Sequence, residues 1–110
     1  MKAQPLKWHP DGSKVFCESH EATHLWIMMP GPFRDRFIPV QLQGQREGTG
    51  NWTWNGDCGK PTLKPSVLTW NGDGPNSDRC HTWITDGQAI FLNDCTHALA
   101  GQTLDLLDLD

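Results

Sequence analysis

Apolar side chains recur at every second position in the clearest segments of this chain, the period of a strand that buries one face. Between Thr23 and Met29, Leu25, Ile27 and Met29 alternate with His24, Trp26 and Met28, and Pro30 and Pro32 close the run. "RDRFIPVQLQGQREGTG", Arg34 to Gly50, begins as a short strand and ends in a polar, Gly-rich stretch that reads as a loop. Further on, "KPTLKPSVLTW" carries Pro61 and Pro65, the mark of an irregular or edge connection leading into a strand over Ser66–Trp70. The pentapeptide "TWNGD" occurs at Thr53–Asp57 and again at Thr69–Asp73. Asn-Gly behind an aromatic strand end is turn chemistry, because both positions tolerate a left-handed backbone. The echo is too short for a repeat architecture.

The strongest local signal is "RCHTWITDGQAIFLNDCTHALAGQ", Arg79 to Gln102. With Asp86-Gly87 as a two-residue type I′ turn, Thr85 faces Gln88, Ile84 faces Ala89, Thr82 faces Phe91 and Cys80 faces Asn93. Side chains two apart share a face, so this register gathers Cys80, Cys95 and His97 on one side. His81 points the other way with Trp83, Ile90 and Leu92. A bulge between Leu92 and Thr96 would reverse the assignment of Cys95 and His97.

Composition supports strands and turns over helices: six Trp and four Phe accompany no Tyr, with eleven Gly and eight Pro among 110 residues. A formal charge of -4 argues against non-specific attraction to nucleic acid or an anionic membrane. The longest apolar run, "LWIMMP", is too short to span a bilayer, and the N-terminus lacks the apolar region of a secretory signal, so a cytoplasmic location is expected. The expected fold is mostly β: one small domain over residues 1–110, an antiparallel sheet with a zinc knuckle and a C-terminal hairpin. The tail "LDLLDLD" reads as a last strand or a partner-binding segment.

Cysteine and histidine supply the candidate chemistry. In a reducing compartment, Cys mixed with His more often binds metal or stays as free thiols than forms disulfides. "CESHEATH" gives Cys17-x2-His20-x3-His24, and a two-residue gap lets a tight turn present both side chains to one ion. Cys17 and His20 from this knuckle, with Cys80 and His97 from the hairpin, make a tetrahedral Zn²⁺ site; His24, His81 and Cys95 are alternates. Four protein ligands would make the metal structural, whereas three plus water, with Asp94 as base, would make a small zinc-dependent hydrolase. Neither the His-Glu-x2-His helix nor the deaminase signature is present. A nucleophilic pair of Cys80 or Cys95 with His81 or His97 lacks a visible orienter. Asp94 and Gln102, with His97, are candidate lining for a small pocket. His9 and Cys58 read as ordinary residues, and Trp52, Trp54, Trp70 and Trp83 as core rather than a ligand platform.

The segments "WTWNGDCGKPTLKPSVL" and "CHTWITDGQAIFLNDCTHALAGQTLDL" together resemble a family of small phage and prophage proteins. Its members carry Trp-x-Trp-Asn-Gly, Lys-Pro-Thr-x-x-Pro-Ser, Cys-His, Asp-Gly and Asp-x-Thr-His-x-Leu-Ala-Gly-Gln-Thr. The resemblance covers about the C-terminal half and the Cys17 knuckle, where relatives have a second Cys in place of His20. It implies zinc ligands at Cys17, Cys80 and at least one His. Related metal-binding proteins occur beside bacterial ubiquitin-like conjugation genes, which implies an accessory role with a protein partner. The expected function is thus a phage-encoded zinc-binding accessory or interaction protein. Its rivals are the zinc hydrolase and a counter-defence protein that binds a host factor or a nucleotide signal.

Overall fold

The computed structural model describes residues 1–30, 37–42, 51–71, 78–96 and 98–109. Among the described residues there are nine strands and one 3-10 turn. Strands β1 (Gln4–Trp8), β2 (Lys14–Phe16), β3 (His24–Met28) and β4 (Phe37–Gln41) form an antiparallel sheet in the order β2-β1-β3-β4. Strands β5 (Thr53–Trp54), β6 (Leu63–Asn71), β7 (Asp78–Thr85), β8 (Gln88–Phe91) and β9 (Thr103–Asp105) form a second, in chain order. All of its pairs are antiparallel too. The mostly β expectation holds, with two sheets where one was expected.

The alternation read from the sequence is what joins the sheets. Leu25, Ile27 and Met29 are fully buried, as are Cys80, Ile84 and Ala89 of the second sheet. With Val40, Leu63, Val67 and Phe91 they form one core cluster. Burying a side chain of this size stabilises by about 1.5–3 kcal/mol. The sheets are also tied along their edges: Leu42 bridges Trp52 in parallel, and the Trp52 N–H donates to the Gln41 carbonyl at 2.9 Å. The tail closes the other side. Thr103–Asp105 is the expected last strand; beyond it Leu106 is buried, and the Leu107 and Leu109 N–H groups donate to Met28 and Met1 carbonyls.

The hairpin has the expected register, from Thr85 opposite Gln88 to Thr82 opposite Phe91. Asp86 and Gly87 both adopt positive φ, 50° and 77°, as a type I′ turn demands. The first "TWNGD" likewise ends a strand in a turn, with Gly56 at φ 81°. Two expectations, the second turn at residues 72–73 and the polar loop over 43–50, lie outside the described residues. No helix among the described residues is long and apolar enough to cross a membrane.

Candidate active site

Strand β7 is regular where it carries His81, and both of its neighbours are not. On the β6 side, Leu63 pairs with Ile84 and Val67 with Thr82, so residues 64–66 together oppose only Trp83. Two extra residues are therefore accommodated in β6. An even insertion preserves which face each side chain occupies but pushes the inserted backbone out of the ladder. Leu63 and Val67 stay buried while Ser66 lies at the surface side of the bulge.

On the β8 side the ladder ends at Phe91. The Leu92 N–H still donates to the His81 carbonyl at 2.9 Å, and then a tight turn intervenes, closed by Cys95 N–H to Leu92 O. Where pairing resumes, Arg79 takes Thr96 as partner, through Thr96 N–H to Arg79 O and Arg79 N–H to Thr96 Oγ1. An uninterrupted register would have given Arg79 Asp94 instead. This second two-residue offset throws Asp94 out at the edge of His81. Because the offset is even, Cys95 remains on the Cys80 side, both buried, while His81 and Trp83 face outward. The bulge foreseen between Leu92 and Thr96 exists but does not reverse Cys95.

These two displacements bring three polar side chains into line. Ser66 Oγ lies 2.8 Å from His81 Nε2. His81 Nδ1 lies 3.0 Å from Asp94 Oδ2 and 3.2 Å from Oδ1. A carboxylate only accepts, so Nδ1 carries the proton and donates to Asp94, leaving Nε2 as the acceptor for the Ser66 hydroxyl. Ordering is thus imposed from the acid inward. The His81 hydrogen bond holds the Asp94 carboxyl below its usual range, with the charges of His81 and of Arg79, whose Nη1 is 3.8 Å from Oδ2, adding to it. On the other side of Ser66, the Trp52 indole N–H donates to the Ser66 carbonyl at 3.3 Å, fixing the bulged backbone.

The loop that carries Asp94 is braced from beneath. The Gly101 N–H donates to the Phe91 carbonyl, and Gly101 adopts φ 81°; a Cβ there would sit 2.9 Å from Asn93 Oδ1, so the Asn93 side chain would have to shift. Gly101 thus allows the close approach of the Phe91 backbone. Gln102 is exposed, and its side-chain amide donates to the Ala98 carbonyl at 3.3 Å.

The described residues expected to bind zinc stand at separate places in the fold. Cys17 follows β2, its N–H bonded to the Pro5 carbonyl. His20 stands on the 3-10 turn Ser19–Glu21 with its side chain 79 % exposed, 3.6 Å from Glu21. Cys80 lies at the fully buried base of β7, where burial pushes its thiol up to about 11. The alternates are likewise engaged elsewhere. His24 Nδ1 is bonded to Thr23 Oγ1 at 2.9 Å, and the Cys95 thiol to the backbone of His81. Among the described residues no three His, Cys, Asp or Glu side chains converge as metal ligands. His97 lies outside the described residues. Of the tryptophans, Trp52 and Trp54 pack against the core as expected, whereas Trp83 is 40 % exposed beside the triad.

Ser66 is the residue that sequence reading missed as chemistry. It stood only as the first residue of a strand, because nothing in "KPSVL" marks a nucleophile and its partner is contributed by the next strand. The available signal was the pair of prolines, which mark an irregular or edge connection leading into a strand over Ser66–Trp70; the strand itself begins earlier, at Leu63, and takes Pro65 into its bulge. Asp94 and His81 had each been singled out, but for other roles.

The model of one protein family, the bacterial ubiquitination-like system serine protease BubE, matches residues 7–92. That span holds Ser66 and His81 and ends just before Asp94. No curated protein and no solved structure matches the chain. With most of its length matched, the chain belongs to the BubE family of bacterial ubiquitination-like system serine proteases.

Proposed function

We propose that this protein is a serine hydrolase that cleaves an acyl bond in a protein substrate of a bacterial ubiquitination-like system. The observation that carries this reading is the unbroken relay from Ser66 Oγ through the His81 ring to the Asp94 carboxylate. The description of the family as a serine protease supports it as well. The hydrolase class weighed from the sequence is retained, with a hydroxyl nucleophile in place of a metal-bound water. Partners are then protein substrates, in keeping with the charge of -4, which disfavours nucleic acid.

In this mechanism Ser66 Oγ adds to the scissile carbonyl while its proton passes to His81 Nε2. Asp94 keeps the ring oriented and stabilises the imidazolium that forms. Collapse of the tetrahedral adduct breaks the bond to the leaving amine or alcohol, which takes the proton from Nε2. Water, deprotonated by the same nitrogen, then releases the acyl group and restores the hydroxyl. Substrate reaches Ser66 from the outer face of the second sheet, since the inner face is core. Leu68 (45 % exposed) and Trp83 (40 %) flank the reacting atoms there.

A chromogenic nitrophenyl ester tests this reading without knowledge of the natural substrate. The wild-type protein should release nitrophenol with an initial burst equal to the enzyme present, and Ser66→Ala should show neither burst nor turnover. Equal hydrolysis by the two proteins would refute it.

A further inference from the structure

Asp94 and His81 are held together twice, once by their side chains and once by the residue that follows the acid. Cys95 Sγ accepts the His81 backbone N–H at 3.2 Å and donates its own proton to the His81 carbonyl at 3.3 Å. One side chain thus takes the backbone N–H of the histidine and shares its carbonyl with the Leu92 N–H, at the point where β8 has left the ladder. The sulfur sits in the core layer at 9 % exposure, next to Cys80. These bonds matter because an amide partly shielded from water that loses its acceptor bears a desolvation penalty.

We infer that Cys95 is a positioning residue of the proposed hydrolase: its thiol clamps the His81 backbone and so sets the distance from the preceding Asp94 carboxylate to His81 Nδ1. The inference rests on the Ser66-His81-Asp94 reading, yet its central observable, the His81-Asp94 hydrogen bond, exists whether or not the protein turns over a substrate. Of the side chains that fit this space, serine keeps a donor and an acceptor on a shorter arm, and alanine keeps neither. Oxygen for sulfur should therefore restore much of what alanine removes.

The test uses full-length protein and two readouts. In proton NMR, the His81 Nδ1 proton bonded to Asp94 should give a far-downfield resonance in wild type. Cys95→Ala should lose it or broaden it away, and Cys95→Ser should retain it. A fluorophosphonate reports reactivity: Ser66 Oγ bonds to phosphorus, fluoride leaves and the hydroxyl proton passes through His81 to water. Labelling of Cys95→Ala should be at least tenfold slower than wild type, with Cys95→Ser recovering most of the rate. Ile84→Val, a core change on the same strand, controls for loss of stability and should label at the wild-type rate below its melting temperature. Should Cys95→Ala fail to fold, Cys95→Val decides, since it fills the space without a donor or acceptor: the inference predicts that it loses the downfield signal and labels at least tenfold slower than Cys95→Ser, whereas a mere space-filler predicts that the two behave alike. A wild-type Nδ1 signal and labelling rate in Cys95→Ala would overturn the inference. Absence of labelling in wild type together with a normal downfield signal would instead indict the hydrolase reading.

Discussion

The two ends of the β7–β8 hairpin are built on opposite principles. At the closed end, Asp86 and Gly87 turn the chain in two residues, and every pair from Thr85–Gln88 to Thr82–Phe91 follows from that turn. At the open end the ladder yields to a tight turn, pairing resumes two residues out of step, and the displaced residue is Asp94. Strand β6 does the same on the other flank of β7, where residues 64–66 crowd opposite Trp83 and Ser66 is displaced. Regular pairing makes the scaffold; paired irregularities on either side of one regular strand make the site. Even-numbered insertions are suited to this, because they leave the buried faces of all three strands intact while releasing one polar residue from each neighbour.

The largest effect should come from removing members of the relay. Ser66→Ala or His81→Ala should slow ester hydrolysis by about 10⁴-fold or more with little change in melting temperature, measured by burst kinetics and thermal denaturation. Asp94→Asn should come next, about 10⁴-fold, since an amide can donate to Nδ1 and favour the wrong tautomer. A sharper cut at the comparison is deletion of Lys64 and Pro65, which joins Leu63 to Ser66 and lets β6 pair with β7 without a bulge. The protein should still fold, as judged by circular dichroism, but lose about 100-fold or more in activity, because Ser66 is drawn back into the ladder. Full activity in that deletion would show that the bulge is incidental.

Smaller effects probe the supports of the acid. Gly101→Ala should cost about 1–2 kcal/mol in urea denaturation, through its left-handed backbone, and slow hydrolysis by displacing Asn93 and the adjoining Asp94. The pH dependence of stability should be slighter still. Asp94 titrates below the ordinary 3.8 in the folded protein, so its ionised form favours folding. That contribution is fully present above 3.8 and is lost as pH falls through the lower folded-state value. The urea midpoints of wild type and Asp94→Asn should therefore converge on acidification below about pH 4; a gap that widened there would contradict the assignment.

What could be read from the sequence follows the same division. The alternation of Leu25, Ile27 and Met29, the Asp-Gly turn and the outward face of His81 and Trp83 are products of local chemistry, and each stands in the fold. The buried company of Cys80 and Cys95 was legible too. The triad was not, because Ser66, His81 and Asp94 come from three separate places and meet only through register offsets that no residue type announces. Cys and His in close spacing point to metal chemistry; among the described residues Cys80 and Cys95 lie in the core and His81 meets the Ser66 hydroxyl. Two sheets emerged where one was expected because the N-terminal strands have buried faces of their own to cover.

The most direct measurement is to treat the purified protein with a fluorophosphonate and map the adduct by peptide mass spectrometry. A single phosphonyl group on Ser66, absent when His81 is replaced by alanine, is the predicted result. An adduct elsewhere, or one on Ser66 that forms equally fast without His81, would contradict the relay on which the account depends.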